Sequence, residues 1–164
     1  MLKSFPPVLG PQPKVLILGS MPGVASLKKQ QYYAHPQNQF WRLIGEVLGQ
    51  DLAGLDYEER LFALKRRGVA LWDVLASCSR EGSLDADISD EEPNRIGELL
   101  RETGIKNVFL NGGKAEAAFK VFIADGLPSG VAAHRLPSSS PAHAGLTFDE
   151  KLRKWSLIAE YLCP

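Results

Sequence analysis

The segment Lys14–Leu18 reads KVLIL, and its last four residues are apolar without a polar alternate. A strand with one face in water alternates apolar and polar positions, whereas an unbroken apolar run needs cover on both faces. Val69–Trp72 and Asn107–Leu110 have the same character, and Val131–Leu136 is a fourth β-like stretch. Between these runs apolar residues recur at helical spacing. Phe40, Trp41, Leu43, Ile44, Val47 and Leu48 form one stripe, and Leu61 and Leu64 a shorter one. Ile96, Leu99 and Leu100 form a third, and Ala115, Ala118, Phe119 and Phe122 a fourth. Leu152, Trp155, Ile158, Ala159 and Leu162 line one face of a last helix. Strands that alternate with helices predict an α/β fold, a three-layer α/β/α sandwich around a central, mostly parallel four-stranded sheet. Thr147-Phe-Asp-Glu150 and Ser89-Asp-Glu-Glu92 both fit a capping box and are expected to start helices. The 164 residues suggest a single domain, with the proline-rich stretch 1–13, MLKSFPPVLGPQP, as an extended N-terminal arm.

Charge and cysteine usage narrow the function classes. Formal net charge is zero, so bulk charge gives no sign of a nucleic-acid partner. The distribution is uneven: residues 1–50 hold five Lys/Arg and one acid, and residues 51–100 six Lys/Arg and twelve acids. A DNA-facing surface would therefore draw on the two ends of the chain, although a solvated acidic face around Asp85–Glu92 explains the asymmetry equally well. Cys78 and Cys163 show no metal-ligand spacing, so neither a zinc site nor an iron–sulfur cluster is expected, and no other metal or cofactor. No apolar stretch approaches the ~20 residues that span a bilayer. The chain reads as a reduced, cytoplasmic protein without a signal peptide, and as a monomer.

The strand ends carry the chemistry. After Leu18 comes GSMPG, after Leu110 comes Asn111-Gly112-Gly113, and after Leu136 comes PSSSPAH. In a parallel sheet all three segments open at one edge, where ligands bind. They are small, polar and rich in backbone N–H groups, which suits a ligand with phosphates and a polar ring. A P-loop is excluded because GxxxxGK[ST] is absent, and so is the dinucleotide-binding GxGxxG.

GSMPG, then YYAHPQNQFWRLI, then LPSSSPAHA together resemble the uracil-DNA glycosylase superfamily, over most of the chain from Val15 to His143. AHPQNQFW is especially similar to the mismatch-specific uracil/thymine enzymes, and the combination of the three motifs is most similar to the hypoxanthine (deoxyinosine) branch. The resemblance implies residues 1–164 as one DNA glycosylase domain that needs no cofactor and acts on DNA containing deaminated bases. It implies a base pocket built from Gly19, Ser20, Met21, Pro22, Gly23, Tyr33 and Asn111, and a DNA-gripping loop at Pro137, Ser138, Ser139, Ser140 and His143. Three positions depart from the uracil-specific pattern. Met21 stands where an Asp or Asn handles the attacking water, and Leu136 where a His or Asn donates to the leaving base. Ser140 stands where a leucine fills the gap left by the flipped base. The hypoxanthine branch shows a similar loss, which moves catalytic importance to Asn38.

Breaking an N-glycosidic bond builds positive charge on the sugar and negative charge on the base, as in other glycosyl hydrolyses. A carboxamide such as Asn38 can orient water through its oxygen or donate to the base through its nitrogen. Tyr33 offers a stacking face, Asn111 a donor and an acceptor for the base edge, and Lys28, Lys29 and Arg135 add charge. Plainer readings stand beside each of these. Asn38 directly precedes a helix and fits its N-cap. Tyr32 and Tyr33 fit as packing residues, and Asn111 before two glycines fits a turn. His35 and His134 read as structural, and Asp85 and Asp87 as a solvated loop. Asp73, at a strand end, is the best alternative carboxylate. Three rival functions remain open: a mismatch-specific G·U/G·T glycosylase, a non-catalytic DNA-lesion binding module, and an unrelated α/β protein that binds a free nucleotide.

Overall fold

A computed structural model describes residues 1–82, 84 and 87–162. The strands are β1 (Leu2–Lys3), β2 (Val15–Gly19), β3 (Val69–Asp73), β4 (Leu75–Ser79), β5 (Ser89–Pro93), β6 (Asn107–Asn111) and β7 (Ala132–Leu136). The helices are α1 (Val24–Lys29), α2 (Phe40–Leu48), α3 (Tyr57–Arg66), α4 (Ile96–Thr103), α5 (Gly113–Phe122) and α6 (Phe148–Trp155). Strands β3, β2, β6 and β7 form, in that order, a four-stranded sheet in which every neighbouring pair is parallel. The four predicted β runs are these four strands, each within a residue of its expected start and end.

The apolar run of β2 behaves as its composition requires. Val15 and Ile17 pack with α2, α3 and α6 on one face of the sheet, and Leu16 and Leu18 with α4 and α5 on the other. All four are fully buried. Successive side chains of a strand point to opposite faces, so one apolar pentapeptide serves two cores. The result is the expected α/β/α layering, with Phe40, Trp41 and Trp155 in the core with Val15 and Ile17.

A second sheet was not legible in the pattern. Strands β1, β4 and β5 form a three-stranded antiparallel ribbon. The extended N-terminal arm is stitched to it through Leu2 and Lys3, and to the main sheet through a bridge between Val8 and Leu71. Ser89–Glu92, expected as a helix start, is instead the body of β5. Pro93 explains this. As the fourth residue of such a helix it lacks the N–H that would bond the Ser89 carbonyl, and its ring would clash with that carbonyl. It also biases Glu92 toward extended backbone.

The other capping box is present. The Thr147 hydroxyl accepts from the Glu150 N–H at 3.2 Å, and the Glu150 carboxylate accepts from the Thr147 N–H at 2.9 Å. The apolar stripe beyond it continues through Ile158 and Leu162, but past Trp155 the backbone tightens into a 3-10 helix over Ser156–Tyr161.

Candidate active site

One cavity of about 300 Å³ opens at the carboxyl edge of the parallel sheet, at the lower end of the ~300–1,000 Å³ range of small-molecule sites. The first motif lines it with Gly19, Ser20, Met21, Pro22 and Gly23, and the middle motif with Tyr33 and Asn38. Asn111 and the late-loop residues Ser138, Ser139, Ser140 and His143 complete the ring. Segments more than a hundred residues apart in sequence thus face one space. Of the residues singled out in the sequence, Pro137 lies outside the lining, and so does Leu136, which is buried in the core.

Each motif is fixed by backbone bonds before any side chain is considered. The turn after β2 is pinned by the Val74 N–H on the Gly19 carbonyl at 2.8 Å and the Leu75 N–H on the Ser20 carbonyl at 3.1 Å. The Arg80 guanidinium donates to the Pro22 carbonyl. Gly19 is required by contact: a Cβ there would lie 2.5 Å from Asp73 Oδ1 and 2.8 Å from the Tyr33 hydroxyl. Asp73, buried at the end of β3, also lines the cavity and is its one carboxylate among the described residues.

The two tyrosines have separate roles. The Tyr32 hydroxyl donates to the Pro6 carbonyl at 2.9 Å, and the ring packs edge-on against Phe5, so this residue anchors the N-terminal arm. Burial pushes its phenol well above the ordinary tyrosine range. Tyr33 stacks on Phe40 with ring centroids 4.0 Å apart and planes 13° apart. Its backbone sits at φ 53°, a left-handed conformation that a bulky residue adopts only under compensation from its surroundings. With Phe40 on one face, a base can stack only on the other.

Asn38 is held by its oxygen. Oδ1 accepts from the Phe40 N–H at 2.9 Å, while the formal cap residue of α2, Gln39, makes no side-chain cap. Only the amide oxygen can accept, so this bond sets the orientation of the carboxamide. No acceptor among the described residues takes the Nδ2 hydrogens. The helix-capping geometry and an available donor therefore coexist in one side chain.

Asn111 is more fully engaged. Nδ2 donates to the Tyr33 hydroxyl at 3.2 Å and to Ser139 Oγ at 3.0 Å, and Oδ1 accepts from the Ser139 N–H at 3.0 Å. Both amide hydrogens are occupied, which leaves one lone pair of Oδ1 for a ligand. Ser139 faces inward, 1% exposed, and its carbonyl accepts from the Gln39 N–H at 2.9 Å. It braces the loop from inside, unlike its neighbours. Ser138 Oγ accepts from the Ser140 N–H at 3.1 Å, both residues are half-buried, and His143 is exposed. Pro137 serves through its carbonyl, which accepts from the Trp155 indole at 2.9 Å. Gly112, at φ 94°, lets this loop approach, since a Cβ there would lie 2.9 Å from Ser138 Cβ.

The remaining sequence candidates, His35 apart, fall outside the cavity lining or outside the described residues. His134 bonds Asn107 Oδ1 at 3.0 Å through Nε2 and stacks on Phe109, a structural role. His35 Nδ1 accepts from the Gln37 N–H at 3.1 Å within its own turn, at the cavity lining. Asp87 is exposed, and Asp85 and Cys163 lie outside the described residues. Arg135 pairs with Glu116 at 3.4 Å, and Lys28 and Lys29 are exposed at the end of α1. Sequence reasoning missed Leu84 and Val24, both exposed at the cavity lining, and Lys151, buried behind it. Lys151 falls four residues before Trp155 and seven before Ile158, on the buried stripe of its helix, so its spacing carried the signal that its charge masked. No helix among the described residues is long and apolar enough to cross a membrane, and no group of three or more His, Cys, Asp or Glu among them is arranged to hold a metal ion.

The family model for the uracil DNA glycosylase superfamily matches residues 6–160. A hypoxanthine DNA glycosylase from Methanosarcina barkeri is 46% identical over 115 residues, 69% of this chain and 72% of the relative. A second one, from Methanosarcina acetivorans, is 41% identical over 142 residues, 86% of this chain and 87% of the relative. A G/U mismatch-specific uracil DNA glycosylase from Schizosaccharomyces pombe is 26% identical across 98% of this chain and 54% of its own length. The solution NMR structure of a candidate uracil DNA glycosylase from Methanosarcina acetivorans superposes with a TM-score of 0.84 at 37% identity, covering 98% of this chain and 97% of that one. Sequence match and fold point the same way, and the chain belongs to the uracil DNA glycosylase superfamily.

Proposed function

We propose that the protein is a monofunctional DNA glycosylase that hydrolyses the N-glycosidic bond of deaminated bases, hypoxanthine first and uracil or xanthine second, as a cytoplasmic monomer in base excision repair. The observation that carries this reading is the convergence of three motif segments on one cavity that holds a carboxamide with donors to offer. The hypoxanthine preference is supported by the names of the two relatives above 40% identity.

In this reading the target base leaves the duplex stack, at a cost of a few kcal/mol that is least for a mispaired base. It enters the cavity and stacks on the face of Tyr33 opposite Phe40. Asn38 Nδ2 donates to the base as negative charge develops on it, and a preorganised donor of this kind contributes on the order of 3 kcal/mol. The second lone pair of Oδ1 can orient the attacking water. Met21 and Leu136 offer neither function, so the burden falls on Asn38. Asn111 acts through its remaining lone pair and through the hydroxyl of Tyr33 that it holds. Ser138, Ser140 and His143 contact phosphates from the rim, while Ser139 and Pro137 keep the loop in place. Phosphate contacts position the duplex and carry no sequence information.

The test is a labelled duplex with a single deoxyinosine, incubated with the protein and then cleaved at abasic sites with alkali. Strand cleavage above a blank is expected; none with inosine, uracil or xanthine would reject the activity. A mismatch-specific reading is favoured only by the similarity to the Schizosaccharomyces pombe enzyme. Faster release from G·U and G·T than from inosine duplexes would establish it.

A further inference from the structure

Lys151 is 2% exposed, yet it belongs to a helix of charged residues, FDEKLRKW, whose neighbours Glu150 and Lys154 stay in solvent. Its ammonium donates to Gln39 Oε1 at 3.0 Å and to the His143 carbonyl at 2.8 Å. Among the described residues it forms no ion pair with a carboxylate. A buried ammonium without a counter-ion is expensive, and an apolar side chain of similar length would fill the same volume without that penalty. Burial accordingly holds this amine below the ordinary lysine range. What the lysine supplies and an apolar residue does not is a pair of directed bonds to two different segments.

Those segments are the middle motif, at Gln39, and the late loop, at His143. Gln39 adjoins Asn38, and its own N–H donates to the Ser139 carbonyl at 2.9 Å. Ser139 in turn holds Asn111, which holds the Tyr33 hydroxyl. His143 ends the cavity-lining stretch of the late loop. One ammonium behind the cavity thus joins the residue beside the carboxamide to the loop that faces it.

We propose that Lys151 is a positioning residue of this site: its ammonium clamps Gln39 to the late loop and so fixes Asn38 and Ser139 relative to the bound base. This rests on the glycosylase reading of the cavity. A displacement of about 1 Å transmitted to reacting groups can lower turnover by about 100-fold, so Lys151→Met is expected to lower kcat by roughly 10- to 100-fold. The assay is single-turnover release of hypoxanthine at saturating protein, well below the melting temperature of each variant. Gln39→Leu should lower kcat similarly, and the double variant should be no slower than Lys151→Met alone, because the two changes break one clamp. Amide hydrogen exchange at Gln39 should also accelerate in Lys151→Met, since that N–H bonds the loop. This last readout does not depend on turnover, so an inactive wild type with faster exchange in the variant would defeat the glycosylase reading and leave the clamp standing. If Lys151→Met does not fold, Gln39→Leu decides. A folded Gln39→Leu with wild-type kcat, multiplicative losses in the double variant, or unchanged exchange at Gln39 would overturn the proposal.

Discussion

Asn38 concentrates the question of how one residue does two jobs. Its oxygen caps the backbone of α2 through Phe40 and keeps one lone pair for water, while its nitrogen offers the donors that a base anion needs. The two roles separate by substitution. Asn38→Asp keeps an oxygen for the Phe40 N–H and removes both amide donors, so stability should stay within about 0.5 kcal/mol of wild type in urea denaturation while kcat falls by about 100- to 1,000-fold. Asn38→Ala should lose activity and also about 1 kcal/mol of stability, the usual value of a lost cap. Wild-type turnover in Asn38→Asp would move the chemistry away from this amide, with Asp73 the next candidate. Gly19 gives a second residue-scale test. A methyl group there meets Asp73 Oδ1 at 2.5 Å and the Tyr33 hydroxyl at 2.8 Å, so Gly19→Ala should cost about 1–3 kcal/mol as an overpacked contact and should weaken base release by displacing Tyr33. Denaturation and turnover measured on the same preparation check both halves.

At the scale of elements, local chemistry decided some segments and tertiary context others. The strands β2, β3 and β6 were legible because their apolar runs are short, punctuated by Gly, Pro and Ser, and buried on both faces, and the mostly exposed edge strand β7 because a turn segment follows it at Pro137. The ribbon was not. LASCS and SDEEP carry little β preference, and the pairing of Ser77 with Glu92 and of Ser79 with Ser89 arises from the approach of two loops rather than from either sequence. The two capping-box patterns, identical in form, went different ways because only one is followed by a proline at the fourth position. For α6 the box is complete, and Thr147→Ala should destabilise the protein by about 1 kcal/mol, read as a lower urea midpoint with unchanged slope. Its partner Glu150 lies below the ordinary carboxylate range because the Thr147 backbone N–H and hydroxyl hydrogen-bond to it. A depressed carboxyl stabilises the fold above its unfolded pKa and loses that contribution as pH falls through the folded value. The difference between Thr147→Ala and wild type should therefore shrink in acid.

For the molecule as a whole, the sheet is a frame that brings distant strand ends to one edge, and the motifs are what that edge displays. Membership of the cavity was legible for nearly every residue the motifs named, because strand order in a parallel sheet dictates which loops meet. The hydrogen-bond economy inside the cavity was not legible. Nothing in PSSSPAH distinguishes the inward Ser139 from the half-buried serines beside it, and only spacing, four residues before Trp155, marks the charged Lys151 as buried. Those assignments depend on packing between segments up to 112 residues apart. The uneven charge distribution also acquires a reading at this scale. Asp90, Glu91 and Glu92 lie on the antiparallel ribbon, where Glu91 is paired with Lys114 at 2.5 Å, while Lys28, Lys29 and His143 stand on segments bordering the cavity. The most direct test of the account is to incubate a duplex bearing one deoxyinosine with the full chain and identify the released product by liquid chromatography. Free hypoxanthine and an intact strand with one abasic site, formed by wild type and formed about 100- to 1,000-fold more slowly by Asn38→Asp, is the predicted result. A duplex that is bound but yields no free base, whether the lesion is hypoxanthine, uracil or xanthine, would contradict it.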